Sequence, residues 1–249
     1  MVSGDIKAGK SNSGGFDMQN TSDLYKTLLR NPNHEKEIKL NISGVDYGMD
    51  KIVSAHTSGG LFSEFGIGNC TSRQIELEVF PVGTIPRQAK IKPFVRLVYG
   101  EQASEWLQKG EFFISKREKN KLTGSLKITG YDAMLKAEQT WLTSDYGTET
   151  WPMPQADAVA DIAYRMGVEV DSRTVLSDDF PVEYPVGENG DLTMREVLSG
   201  IAVSNCGNWI ITDAGKLLLI RYIDIPEDTS RLIDENRNVI LFGGVGIIV

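Results

Sequence analysis

Cysteine and histidine are scarce in this sequence of 249 residues, which contains two of each. Cys70 and Cys206 lie far apart and neither has a CxxC partner, which excludes a disulfide scaffold and a zinc site of clustered cysteines. We expect both to be small, buried or half-buried thiols. No run of about 18 apolar residues occurs, which excludes a membrane-spanning helix. No apolar segment follows the first methionine, so we expect no secretory signal.

Catalytic and metal-binding motifs are also missing. His34 lies in a polar loop and His56 at the end of a predicted strand, and neither belongs to a nucleophile motif. Paired carboxylates of the kind that glycosidases use occur mostly in loops, where solvated carboxylates are expected: Asp178 with Asp179, Glu183 with Glu188, and Asp224 with Glu227 and Asp228. We therefore predict no catalytic, cofactor-binding or metal-binding residues, and a protein that is not an enzyme.

The charge is acidic overall but unevenly distributed. The net charge is −8 and the pI is about 4.9, which argues against a dedicated nucleic-acid binder. Hydrophobic residues make up 41% and charged residues 24%, a balance typical of one or two globular domains. Residues 87–127 hold ten basic and four acidic residues, a balance of +6. Residues 169–196 hold eight acidic and two basic residues, a balance of −6.

Hydrophobic periodicity predicts a short helix followed by about six strands. We predict residues 1–20, rich in Gly, Ser, Lys and Asn, to be a flexible arm. A helix capped by Thr21 or Ser22 ends before Asn31-Pro32. Alternating apolar residues predict strands over 37–42, 52–55, 73–80, 90–99, 106–114 and 124–129, with Pro93 at an edge or a bulge. Strands at this spacing indicate a small antiparallel barrel or sandwich.

The second half of the sequence is more helical. Asp132 begins a predicted helix that ends near Trp141, and a second helix covers 155–166 with Gly167 after it. A third helix starts at Thr193, where Thr193-x-x-Glu196 is a capping box. Residues 209–212 and 216–222 read as a hairpin, and the apolar residues 239–249 read as an unfinished strand.

Several segments, in their order, resemble the baseplate-hub or tail-tip proteins of bacteriophages, in the form found in prophages of Gram-positive bacteria. This family is related to the hub protein of T-even phages and to the N-terminal domain of tail-associated lysins. The segments that carry the resemblance are 21–26 with 31–34, Phe65 to Asn69, Ile91 to Arg96, Gly110 to Gln139, and 192–198 with 207–209. The segment from Gly110 to Gln139, a hairpin that leads into a helix at Tyr131-Asp132-Ala133, is the most telling.

The resemblance implies a mainly-β fold with helices. It divides the chain into an N-terminal arm (1–20), a short helix with a first small antiparallel β-barrel (21–145), a helical insert (146–205) and the start of a second, incomplete β-barrel (206–249). The incomplete barrel leads us to expect a truncated form of a longer protein. The resemblance also implies a homotrimer that forms the baseplate hub at the virion tail tip, after assembly in the host bacterial cytoplasm. Its expected partners are further copies of itself and the tail tube, distal tail and tape-measure proteins, with DNA only as passing cargo, no membrane insertion and no cofactor.

The separation of the basic segment from the acidic segment suggests two arrangements. The basic and acidic segments could meet across a cyclic, heterologous interface between copies. Alternatively, the acidic surface could line a channel and repel the DNA backbone, which lets DNA pass during injection.

Two other functions remain open from the sequence, and a third is disfavoured. A peptidoglycan-degrading enzyme would need a carboxylate pair in a cleft. A carbohydrate-binding module for the host surface would need exposed aromatic side chains, for which Trp141 and Trp151 are the candidates. Aromatic residues among the basic residues of 87–127 could bind single-stranded nucleic acid, although on alternating strands we expect them to fill the core.

Overall fold

The computed structural model describes residues 21–60, 66–141, 145–147, 150–184, 186–187, 190–222, 241–242 and 245–246. The predicted N-terminal arm and most of the predicted C-terminal strand lie outside these residues. The chain divides into two compact units, residues 20–221 and a second unit that combines residues 1–19 with 222–249. Within the second unit, strands β14 (Leu241–Phe242) and β15 (Val245–Gly246) pair as a short antiparallel hairpin. All other elements below belong to residues 20–221.

The chain begins with the predicted short helix, α1 (Asp23–Arg30). Ser22 caps it, because its Oγ accepts a hydrogen bond from the Tyr25 amide at 3.0 Å. Leu28 is its buried residue. A helix of two turns is not stable alone, and α1 is tied to the fold by Glu105, whose carboxylate accepts bonds from the Ser22 amide at 2.7 Å and the Ser22 hydroxyl at 2.6 Å.

Nine antiparallel strands follow and form one sheet in the order β2-β1-β5-β8-β9-β4-β3, with β6 and β7 paired to β5. The strands are β1 (Glu35–Ile42), β2 (Val45–Tyr47), β3 (Ile52–Ser58), β4 (Gln74–Val79), β5 (Lys90–Tyr99), β6 (Gln102–Ala103), β7 (Leu107–Gln108), β8 (Phe112–Lys119) and β9 (Leu126–Tyr131). Alternating residues bury one face of the sheet, as the period of two in the sequence predicts. The core of this face, here the sheet core, consists of Leu40, Ile42, Tyr47, Ile75, Leu77, Val79, Ile85, Ala89, Ile91, Phe112 and Ile128.

The mainly-β fold with helices is confirmed, but the sheet is open rather than a closed barrel. Among the described residues no hydrogen-bond ladder joins β2 to β3, the two ends of the strand order. The sheet nevertheless curls around one core, because the chain passes from β2 into β3 through only four residues, 48–51. Two bonds hold this corner: the Phe80 amide donates to the Lys51 carbonyl, and the Val82 amide donates to the Tyr47 hydroxyl.

Two strand predictions differ from the structure. The predicted strand over 106–114 is two strands, β7 and β8, because the chain bends at Gly110, whose φ of +132° is accessible mainly to glycine. Pro93 is not on an edge strand. It lies inside β5 where the partner of β5 changes from β8 to β7, so its missing N–H interrupts no continuous ladder.

The second half of the unit combines three helices with a hairpin. They are a 3-10 helix (Ala133–Glu138), α2 (Gln155–Met166), α3 (Met194–Ser204), and strands β12 (Gly207–Ile211) and β13 (Leu217–Arg221). A small hairpin, β10 (Val186–Gly187) with β11 (Gly190–Asp191), precedes α3. Trp141, Ile162, Leu198, Trp209 and Leu217 are among the buried residues of one common core, here the helical core.

The helix ends follow the local signals with one exception. Gly167 ends α2 with a φ of +69°, and Thr193 with Glu196 forms the predicted capping box of α3. The helix predicted from Asp132 is a 3-10 helix rather than an α-helix, and it ends at Glu138. The predicted domain limits at residues 20, 145 and 205 stay predictions, as does the second barrel.

Asp132 joins the sheet to the helical core. Its buried carboxylate accepts bonds from the Met134 amide at 3.1 Å, the Ser72 hydroxyl at 2.9 Å and the Arg73 amide at 3.0 Å. The Arg73 guanidinium then reaches Asp213 Oδ1, in the turn between β12 and β13, at 2.8 Å. Burial raises the pKa of Asp132, against the opposing effect of these bonds and of the arginine charge.

The β12–β13 pair offers a test of packing at Gly207. A Cβ at this position would lie 2.5 Å from the Ile220 carbonyl oxygen, a backbone atom that cannot move aside. We expect Gly207→Ala to lower the free energy of unfolding by about 1–3 kcal/mol, measured by urea denaturation. Gly200→Ala is the matched control, since its Cβ in α3 meets nothing within 4 Å, and it should raise stability by about 0.5–1 kcal/mol. Equal effects of the two substitutions would contradict the packing.

Candidate assembly surfaces

The residues that could have supplied nucleophilic catalysis lie apart and in unsuitable surroundings. His34 Nδ1 lies 2.7 Å from the Asn31 carbonyl oxygen in the turn after α1, whereas His56 is exposed on β3. Burial raises the pKa of the Cys70 thiol to about 12, so this thiol is not a nucleophile at neutral pH. Cys206 is half-buried, as expected.

Three of the carboxylate candidates lie in the part of the chain that the structure describes, and these three are exposed to solvent. Asp178, Asp179 and Glu183 are exposed on one loop, while Glu188, Asp224, Glu227 and Asp228 lie outside the described residues. In the part of the chain that the structure describes, no group of three or more His, Cys, Asp or Glu side chains is placed to hold a metal ion. The described helices also include none that is long and apolar enough to cross a membrane.

A polar cleft of about 550 Å³ lies between the segment 68–72, the 3-10 helix and α3. Its charged side chains are already used within the fold. Arg195 Nε lies 2.7 Å from Glu138 Oε1, and Arg195 Nη2 donates to the Met134 carbonyl at 3.1 Å. Glu196 belongs to the capping box of α3. The cleft therefore offers no free charged group for a substrate.

The two tryptophans considered for carbohydrate binding do not form an exposed platform. Trp141 is fully buried, and its Nε1 donates to Asp161 Oδ2 at 2.6 Å. Trp151 is half-buried and packs against the helical core. The rings of Trp141, Tyr146 and Trp151 meet edge to face, with centroids 5.8–6.2 Å apart. These aromatic side chains pack the helical core and do not present an exposed surface for binding a sugar.

Four of the five aromatic residues of the basic segment are engaged within the protein, and Tyr99 is the exposed exception. Phe112 is fully buried in the sheet core. On the other face of the sheet, Lys39 Nζ lies 5.2 Å from the ring centres of both Phe94 and Trp106, and the Arg96 guanidinium lies 4.6 Å from the Trp106 ring. These cation–π contacts use the rings that would have stacked on nucleic-acid bases.

What remains of the basic segment is the tip of the β8–β9 hairpin. We call residues 115–127 the basic hairpin. Its side chains are mostly exposed from Ser115 onward, and its charged groups are Lys116, Arg117, Glu118, Lys119, Lys121 and Lys127. Lys116 pairs with Glu118 at 2.7 Å, and Arg117 Nη1 donates to the Ile85 carbonyl. Leu122, at the turn, is 97% exposed.

The acidic segment also resolves into used and unused charges. Glu169 pairs with Lys216, and Asp171 pairs with Arg173, each at 2.8 Å. The exposed carboxylates of Asp178, Asp179 and Glu183 lie on residues 175–184, which we call the acidic loop. The loop also exposes the apolar side chains of Val175 (58%), Phe180 (56%) and Tyr184 (49%).

The sheet presents a third surface at its end. β3 pairs with β4 on one side only, and no described strand covers its other edge. Over Ile52–Ser58 its side chains are mostly exposed. Such an edge carries unpaired N–H and C=O groups and is a template for pairing with another chain.

Two solved structures are similar to this chain. A 43 kDa tail protein of prophage MuSo2 from Shewanella oneidensis matches with a TM-score of 0.50 and 14% identity, over 82% of this chain and 61% of that one. A tail protein from Neisseria meningitidis MC58 matches with a TM-score of 0.41 and 13% identity, over 82% of this chain and 53% of that one. This chain thus spans less than two thirds of either protein. At 14% identity, the first likeness shows a shared fold.

No protein-family model matches the sequence, and no curated protein sequence matches it. The chain is therefore placed by its fold: a mainly-β protein with helices, built on an open antiparallel sheet, with the architecture of the prophage tail protein.

The charged contacts beneath the aromatic residues of the helical core give a pH-dependent prediction. Burial alone would raise the pKa of Asp161, but the bonds from Trp141, Arg165 and Tyr146 outweigh it and lower the pKa below its ordinary value. A lowered pKa stabilises the fold fully above the ordinary carboxyl range, and this contribution is lost as the pH falls through the lowered value.

We expect Asp161→Asn to lower the free energy of unfolding by about 1–3 kcal/mol at pH 7, because Arg165 and Trp141 lose a charged acceptor. The difference from the unchanged protein should narrow below about pH 4, as measured by urea denaturation at several pH values. Asp157→Asn, an exposed residue on the same helix, should show a small effect. A difference that stays constant from pH 7 to pH 3 would contradict the assignment.

Proposed function

We propose that this chain is a structural protein of a bacteriophage tail. The observation that supports it is the likeness of fold to the prophage MuSo2 tail protein over 82% of the chain. The order of the segments that resemble phage hub proteins, above all Gly110 to Gln139, supports the same class of protein. A structural rather than an enzymatic role fits the name of that prophage protein.

More specifically, we propose a baseplate-hub role at the end of the tail tube, as a homotrimer that encloses a channel for DNA passage or injection. The hub resemblance in the sequence supports this place in the virion. Its partners would be the tail tube, the distal tail and the tape-measure proteins, with assembly in the host cytoplasm. The net charge of −8 suits a protein that conducts DNA without holding it, because like charges repel the phosphate backbone.

The uncovered edge of β3 is the feature that would join the copies. Main-chain hydrogen bonds to a strand of a neighbouring subunit would satisfy the N–H and C=O groups along Ile52–Ser58. The same pairing would continue the sheet from one subunit into the next, and a sheet continued through every subunit would enclose a channel. No covalent chemistry is needed for this role.

Electron microscopy tests the proposed assembly directly. The purified chain, imaged in negative stain and weighed by light scattering, should form a threefold ring with a central hole. A featureless monomer at every concentration would overturn the self-assembling hub. Release of fragments from purified cell walls, measured by zymography, would replace it with a lytic enzyme.

Proline substitutions test the role of the β3 edge. Neighbouring residues of a strand point their N–H groups to opposite edges, so His56→Pro and Thr57→Pro remove one outward N–H and one N–H bonded to β4. We expect the variant that lacks the outward N–H to keep the thermal stability of the unchanged protein and to stay monomeric. The variant that lacks the N–H bonded to β4 should lose stability. The measurements are thermal melting followed by circular dichroism, and light scattering.

The control is Gln88→Lys, an exposed loop substitution that should assemble normally. A proline at this position would not serve, because it would change the backbone of the loop. If the proline variant that keeps its stability still forms rings, the β3 edge does not join the subunits.

A further inference from the structure

The basic hairpin carries more exposed charge than the fold uses. Lys119, Lys121 and Lys127 are exposed and form no ion pair within 4 Å among the described residues; Lys127 lies opposite Glu118 in the β8–β9 register and helps to lower the pKa of that carboxylate. Between them Leu122 presents an apolar side chain that is almost wholly in water. These lysines and the exposed leucine leave the hairpin free to contact a partner whose surface is acidic and partly apolar.

The acidic loop has the complementary composition and is held firmly. Gln155 and Asn205, both buried, anchor it from beneath: Gln155 Nε2 donates to the Phe180 carbonyl at 2.6 Å, and Asn205 Oδ1 accepts from the Ser177 amide at 2.8 Å. The two anchors are joined, because Asn205 Nδ2 donates to Gln155 Oε1 at 2.7 Å. Bonds between Met153 and Val182 fix the far end of the loop.

This anchoring presents the loop as a preformed surface. Asp178, Asp179 and Glu183 supply three exposed carboxylates around the half-exposed ring of Phe180. A surface that is already ordered loses little conformational entropy when a partner binds. The hairpin thus carries three lysines and an apolar side chain, and the loop carries three carboxylates and an apolar ring. The two surfaces of this one sequence are complementary in charge.

The tip of the basic hairpin extends away from the point where β8 meets the helical core. Phe113, at the base of β8, packs against the helical core that carries the acidic loop. A strand rises about 3.3 Å per residue, so the hairpin tip at Lys119 lies about 20 Å along β8 from that point. In the described residues no hydrogen bond or ion pair joins the hairpin to the loop. The complementary surface available to each hairpin is the loop of another copy.

We infer that the basic hairpin of one subunit docks on the acidic loop of the next, with Leu122 against Phe180 and the three lysines against the three carboxylates. The contact is heterologous, because each copy contributes its hairpin on one side and its loop on the other, and repetition around a closed ring satisfies every surface. This inference rests on the proposed self-assembly and names the side chains that set its direction.

A charge swap tests the contact in the full chain by analytical ultracentrifugation. Lys119→Glu with Lys121→Glu, and separately Asp178→Lys with Asp179→Lys, should each weaken self-association about tenfold or more at 50 mM salt, because like charges then oppose each other. The variant with all four substitutions should regain association within about threefold of the unchanged protein. Association of the unchanged protein should weaken as salt is raised, because exposed charges are screened.

The control has the same change of charge at another exposed place. Arg30→Glu with Lys36→Glu, on α1 and β1, should associate like the unchanged protein. Circular dichroism should show the same thermal stability for all variants, since every substituted side chain is exposed.

Each outcome separates this contact from the assembly itself. Unchanged association of both double variants would overturn the hairpin contact and leave the β3-mediated assembly standing. Loss of association in the hairpin variant alone, without rescue by the four-substitution variant, would show that the hairpin meets something other than the loop. Binding of labelled DNA that depends on Lys119 and Lys121 would assign the hairpin to nucleic acid instead. An unchanged protein that stays monomeric at all salts would overturn both proposals.

Discussion

The buried carboxylate of Asp132 is the constraint on which the arrangement of the protein depends. It ends β9, begins the 3-10 helix and binds the start of β4 through Ser72 and Arg73. Arg73 carries the connection onward to Asp213 in the turn between β12 and β13. A buried carboxylate is costly unless every oxygen is satisfied, so these elements can take only the positions that supply its donors. The sheet core and the helical core are therefore held in one fixed relation.

Because the two cores are held in a fixed relation, the exposed surfaces also have fixed positions relative to each other. The β3 edge and the basic hairpin extend from the sheet, whereas the acidic loop is anchored on the helical core by Gln155 and Asn205. Surfaces on a rigid frame can recur at regular intervals in a symmetric assembly, because each copy presents them at the same distance and angle. Main-chain hydrogen bonds at the β3 edge would supply affinity between subunits. The contact between the basic hairpin and the acidic loop would set the orientation of each subunit relative to the next. The proposed role in a phage tail would use both of these properties.

Much of the fold was accessible from periodicity and capping signals. The sequence predicts α2 with its observed limits of Gln155 and Met166, and it predicts the capping box at Thr193, because both depend on neighbouring residues in the chain. It also predicts most of the strands. It did not predict the break at Gly110, where φ is +132°, or the 3-10 geometry after Asp132, because the apolar pattern does not record backbone angles. The period of two predicts a small antiparallel barrel or sandwich, and the described strands form an open antiparallel sheet, because strand order depends on pairings that no local pattern records.

The sequence by itself determined the composition of the candidate surfaces: a basic segment, an acidic segment, and only two histidines and two cysteines. Only the tertiary structure decided which charges remain available. It paired Glu169 with Lys216, buried Trp141, and left Lys119 and Asp178 in water. The physical reason is that a residue's charge is a property of its type, whereas its solvation and its partners depend on residues far away in the chain.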